Sequence, residues 1–127
     1  MKNNMVGWFE VPVNDMNRAQ KFYEEVLDVK LERHLMGETD MAWFPMREDG
    51  QGAPGSLVKH PDFYIPSADG VVIYFTAHSG DLNNELARVE PAGGKVVQDK
   101  SKISDEYGYM AIILDTEGNR VALHSGK

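Results

Sequence analysis

The chain carries one structural pattern twice. Trp8-Phe9-Glu10-Val11-Pro12-Val13-Asn14-Asp15 runs from an apolar strand into a helix start, and Val72-Ile73-Tyr74-Phe75-Thr76-Ala77 does the same ahead of Asp81. Each copy continues with a helical period and then with strand-sized segments. A unit of one strand, one helix and three strands has an apolar face that it cannot bury alone, so two copies must pack together. The repeat predicts two modules, about residues 5–60 and 70–126, with a cleft between them where function is expected.

Composition narrows what that cleft can serve. At 127 residues and 42% apolar content, the chain fits one compact domain, 1–127, with its own core. Its net charge of −7, spread along the sequence, supplies no electrostatic footprint for nucleic acid or an anionic membrane. Cysteine is absent, which excludes disulfides, thiolate nucleophiles and cysteine-ligated zinc. Lys2 is followed by no apolar run, and no stretch is long enough to span a bilayer, so a cytoplasmic protein is expected.

In the first module, Asn14 and Asp15 supply an N-cap, because a short side-chain oxygen can accept an unpaired N–H at a helix start. Met16, Ala19, Phe22, Tyr23, Val26 and Leu27 then recur at helical spacing, opposite Arg18, Lys21, Glu24 and Glu25. The period next switches to strands near Lys30–Leu35, Met41–Met46 and Gly55–Lys59. His60–Gly70, with two prolines and a glycine, reads as the connecting loop. In the second module Leu82, Leu86 and Val89 space a helix that Pro91 must end, and Gly93-Gly94 turns the chain back into Lys95–Gln98. Asp99–Tyr107 reads as a long polar loop able to gate a pocket. Tyr109–Leu114 and Arg120–His124 flank Asp115-Thr116-Glu117-Gly118-Asn119, a hairpin signal.

Phe9–Asp15, Arg18-Ala19, Phe22-Tyr23 and Val26-Leu27 resemble the first unit of the vicinal oxygen chelate superfamily, which includes glyoxalases, extradiol dioxygenases and bleomycin-resistance proteins. Val72–Phe75, Leu86–Val89 with Gly93-Gly94, and Leu114–His124 resemble the second. The resemblance implies an α+β fold of two βαβββ modules forming an open, cupped mixed sheet, and a homodimer. Its enzymes commonly hold a divalent metal with His and Glu side chains that leave positions open for substrate oxygens. Those seats fall here on Trp8, on Val72 or Tyr74, on Ser56 or Val58, and on Ala122, none of which is a normal ligand. The standard metal site is therefore expected to be lost, and these residues are expected to line a ligand-binding cup instead. An alternative cofactor, a divalent metal ion at Glu10, His60 and His124, rests on strand parity.

Glu10 in the middle of an apolar strand must be satisfied, since a buried unpaired carboxylate is costly by several kcal/mol. It either pairs with Arg120 or His124 as part of the fold, or acts as a general base or ligand anchor. His124, able to donate from one ring nitrogen and accept at the other, could join it as an acid/base pair, or serve as a simple strand-end hydrogen-bonding group. Trp8 and Tyr74 share the parity of the cup face, whereas Trp43 and Phe75 read as core. His34 and His78 read as exposed. Lys59, Lys100 and Arg120 could meet an anionic substrate or be solvated, and Gly50-Gln51-Gly52 is too short for a phosphate loop.

Three classes of function follow. The first is a binding protein that holds a small organic molecule by shape and aromatic surface. The second is a glyoxalase-like lyase or isomerase using Glu10 and His124. The third is an interaction module whose cup is filled by its own Trp8 and Tyr74.

Overall fold

A computed structural model describes residues 4–127, so Lys2 lies outside the described residues. The elements run β1 (Phe9–Pro12), α1 (Met16–Leu27), β2 (Glu32–Met36), β3 (Thr39–Trp43), β4 (Gly55–Lys59), β5 (Tyr74–Thr76), α2 (Leu82–Val89), β6 (Lys95–Ser104), β7 (Gly108–Leu114) and β8 (Arg120–Ser125). The fold is α+β, with two open four-stranded mixed sheets ordered β1-β4-β3-β2 and β5-β8-β7-β6. The same order in both confirms the duplicated βαβββ plan. In each sheet the first strand lies parallel to the last, and the other pairings are antiparallel.

Both helices start as the capping residues dictate. The Asp15 carboxylate accepts from the Arg18 N–H at 3.0 Å, and the Asp81 carboxylate from the Asn83 N–H at 3.0 Å. All six apolar positions of α1 are buried. Its C-cap, Asp28, takes the left-handed conformation at φ 54°, a position usually given to glycine. Helix α2 ends at Val89, two residues before Pro91, as the missing donor of proline requires.

One core joins the two modules. Phe9 of β1 and Phe75 of β5 meet with ring centroids 5.6 Å apart, and Phe44 and Tyr23 pack against Phe75 at 5.3 and 5.4 Å. The fully buried Phe22 of α1 crosses to Gly94, where any Cβ would stand 2.6 Å from its ring. Each such side chain contributes about 1.5–3 kcal/mol by leaving water.

Polar contacts lock the modules as well. Glu117 accepts from the N–H groups of Asn14 and Asp15 at 2.9 and 2.8 Å and pairs with Arg18. The Tyr23 hydroxyl donates to Asp115 at 2.6 Å, and the Asn119 amide donates to the Pro12 carbonyl at 2.7 Å. The hairpin expected over Asp115–Asn119 thus also acts as the clasp on the start of α1.

Two expected element boundaries are corrected. Residues 99–104 belong to β6, a strand of ten residues, and only 105–107 form a turn. The segment is polar because β6 is a sheet edge with several register shifts against β7, so it buries little on either face. Strand β5 covers only Tyr74–Thr76, although the Ala122 N–H still donates to the Ile73 carbonyl and the Ala77 N–H to the His124 carbonyl. No helix among the described residues is long and apolar enough to cross a membrane.

Candidate functional site

Between β1 and β5, which share no ladder, lies a cavity of about 990 Å³, in the range that holds a drug-sized molecule. Its walls include Trp8, Phe9, Phe44, Val72, Tyr74 and Phe75, with Glu10, Thr76 and Arg120 among the polar groups. The cavity follows the unpaired edges of both strands, so consecutive residues 8–12 and 72–76 border it whichever face they turn to. Val11 and Leu57 turn toward the helices and are buried in the core, so their neighbours Glu10 and Ser56 face the opposite side.

Glu10 is satisfied by Trp8, two residues before it, and by Tyr64, which the sequence did not single out. The Trp8 indole N–H donates to Glu10 Oε2 at 3.3 Å, and the Tyr64 phenol lies against the same carboxylate, which raises the Tyr64 pKa through hydrogen bonding and charge. Neither Arg120 nor His124 is its hydrogen-bond partner among the described residues. Tyr64 sits at φ 65°, in the left-handed region where a bulky residue is strained. Its loop of turn-forming residues contains Phe63-Tyr64-Ile65, and that aromatic run was the signal available for finding it.

His124 Nε2 lies 2.6 Å from the Tyr107 carbonyl. A carbonyl only accepts, so Nε2 carries the proton and a neutral ring has its acceptor at Nδ1. The imidazole is thereby tied to the β6–β7 turn and stands outside the cavity lining. His60 Nδ1 accepts from the Asp62 N–H at 3.1 Å, and its ring packs on Phe63 at 5.0 Å. Among the described residues no three His, Asp or Glu side chains converge as metal ligands, so Glu10, His60 and His124 are not gathered into a set.

The seats that match the superfamily's ligands do not fit a divalent ion either. Trp8 offers an indole N–H, which donates only, and Val72 and Ala122 carry no donor atom to give a metal. Trp8, Val72 and Tyr74 line the cavity. Ser56, Val58 and Ala122 do not: all three are fully buried and closed off from it. They sit on β4 and β8, one strand inward from β1 and β5, and of those two strands only the start of β8, at Arg120 and Val121, borders the cavity.

Two aromatic and histidine assignments are also corrected. Phe75 is core, but Trp43 is half-buried on the face opposite Ala42 and Phe44. There it packs edge-on to Trp8 at 5.5 Å and against His34 at 4.1 Å, so His34 is stacked and not free. His78 is exposed at the cavity rim. Of the three cations, Lys100 pairs with Asp81 at 2.9 Å and lies over the Tyr109 ring, Lys59 is exposed, and Arg120 reaches the cavity.

A pair of βαβββ units around a central cavity is the plan of the vicinal oxygen chelate fold. The chain belongs to the Glyoxalase/Bleomycin resistance protein/Dioxygenase superfamily, whose family model matches residues 5–123. Among solved structures, a glyoxylase/bleomycin resistance protein/dioxygenase domain from Frankia sp. EAN1pec is similar at TM-score 0.70 and 17% identity, covering 98% of each chain. TnmS3, an antibiotic binding protein from Streptomyces sp. CB03234, is similar at TM-score 0.65 and 23% identity, over 100% of this chain and 99% of its own. Glyoxalase I from Zea mays is similar at TM-score 0.66 and 19% identity, over 94% of this chain and 45% of that one, so the chain spans under half of the maize enzyme. No curated protein matches by sequence.

Proposed function

We propose that this protein binds a small, largely apolar organic molecule in the cavity between β1 and β5, without the superfamily's metal. The observation that carries the reading is the cavity itself: about 990 Å³, walled by Trp8, Phe9, Phe44, Tyr74 and Phe75, with Glu10 as a polar anchor. The family and the antibiotic binding protein among its structural relatives support the same reading. The separation of Glu10 from His124, each held by other partners, favours binding over acid/base catalysis.

The working form is proposed to be a cytoplasmic homodimer. Ile65 and Val71 are 82% and 92% exposed beside the cavity, and a second copy would cover them. Light scattering after size exclusion tests the dimer, and cell fractionation tests the location.

Thermal shift against a panel of aromatic and aliphatic small molecules tests the binding, since a ligand selective for the folded state raises Tm in proportion to its occupancy. Val72→Trp, which fills the cavity from its wall, is expected to abolish the shift while leaving the unliganded Tm within a few degrees. If no apolar molecule raises Tm, or if Val72→Trp leaves every shift intact, the reading fails.

A further inference from the structure

Glu10, Ser56 and Trp43 are partners in register across three adjacent strands, β1, β4 and β3, and stand in one row on the face away from the helices. Neighbouring strands are about 4.8 Å apart, so the row offers a carboxylate, a hydroxyl and an indole N–H within about 10 Å. Two of these groups have no hydrogen-bond partner. Ser56 Oγ and Trp43 Nε1 are both buried and unpaired among the described residues. Native proteins rarely leave such atoms orphaned, and each calls for an explanation.

Trp8 touches both ends of the row. Its indole N–H reaches Glu10 at one end of the row, and its ring meets Trp43 edge-on at the other, so it spans Ser56 between them. Ser56, between those two contacts, is fully buried. Trp8 is itself 37% exposed and lines the cavity together with Glu10, whereas Ser56 and Trp43 lie behind them. Trp8 is thus the wall between an open cavity and a closed polar row. Its indole makes one hydrogen bond, at 3.3 Å, and one edge contact with another ring, while Trp43 is braced on its other side by His34 at 4.1 Å.

We infer that Trp8 is a gate and that the row behind it is a hydrogen-bonding subsite for a planar aromatic ligand with a lactam or carboxamide edge. The ligand's N–H donates to Glu10, and its carbonyl accepts from Trp43 Nε1 and the Ser56 hydroxyl. Its ring replaces the Trp8 indole against Trp43. This pairing satisfies both orphaned groups and returns to Glu10 the donor that Trp8 withdraws. It also uses the place where Trp8 and Ser56 stand in for the superfamily's metal seats. The inference rests on the proposed binding function and specifies which ligand edge that function selects.

Both tryptophans of the chain belong to this site, so the two indole N–H signals in proton–nitrogen correlation spectra report on it alone. The probes are carbostyril, which carries the lactam edge, and N-methylcarbostyril, which lacks the N–H. Carbostyril is expected to move both indole signals, that of Trp43 downfield, and to bind about tenfold more tightly than its N-methyl form. Ser56→Ala and Trp43→Phe, each close in shape to the original, are expected to weaken carbostyril several-fold. Binding with both indole signals unmoved would overturn the subsite and leave the cavity reading standing. An affinity unchanged by Ser56→Ala would assign the hydroxyl to a trapped water and overturn it as well. Failure of both probes and of every other apolar molecule would overturn the binding function and the subsite together.

Discussion

Glu117, in the last hairpin of the second module, holds Arg18 of the first module's helix with Oε2 2.7 Å from Nε and Oε1 2.9 Å from Nη2. The same carboxylate accepts from two backbone N–H groups at the start of α1. Burial pushes its pKa up, but the Arg18 guanidinium, the Asp15 N–H, the Thr116 hydroxyl and the Asn14 N–H together outweigh burial and bring it from 4.5 to about 2.

Acid should therefore loosen the join between modules. A carboxyl whose pKa is depressed by folding contributes stability above its unfolded pKa and loses it as pH falls through the folded value. Urea midpoints are expected to fall as pH drops from 4.5 toward about 2. Glu117→Gln should cost about 2 kcal/mol at neutral pH and flatten the acid limb, because it removes the charge held by Arg18. An acid limb as steep in the variant as in the parent would move the effect to other carboxylates.

Ser56→Ala is expected to raise stability by about 1 kcal/mol, since it deletes a buried hydroxyl that has no partner without adding volume. Chemical denaturation of the unliganded protein checks this. A loss of stability would mean that the hydroxyl is satisfied in solution.

Gly55 faces Phe9 across β1 and β4, and a Cβ there would stand 2.3 Å from the Phe9 ring. Gly55→Ala should destabilise by about 2 kcal/mol through overpacking. Phe9→Leu in the same background should recover part of that loss, and a double-mutant cycle measures the coupling. Additive effects would show that the ring moves aside freely.

Asp28→Gly should stabilise the protein by about 0.5–1 kcal/mol, because glycine adopts the observed φ of 54° without steric penalty. The change touches a solvated cap, so Tm should rise with ligand affinity unchanged. A fall in Tm would assign the Asp28 side chain a contact that outweighs its strain.

Local chemistry made most of the fold readable. The helix starts at Asp15 and Asp81, the stop before Pro91 and the turn at Gly93-Gly94 follow from residues within one turn of each boundary. The second half of β6, residues 99–104, escaped because an edge that buries little carries no period-two signal. Trp43 was misplaced by its size, although Ala42 and Phe44 on either side fix its parity. Of the partners of Glu10, Trp8 shares its strand parity, but Tyr64 was out of reach for a different reason. Tyr64 arrives through a left-handed loop 54 positions downstream, and no rule of spacing predicts such a meeting. The clasp of Glu117 on Arg18 spans 99 positions and is equally non-local.

Strand β1 is laddered only to β4, and β5 only to β8, so each has one unshared side along the cavity between them. Main-chain amides and carbonyls on those sides are polar groups that substitution cannot erase. Lining side chains are then free to drift and reshape the chamber for new guests, while the peptide backbone keeps offering the same anchoring points to each of them.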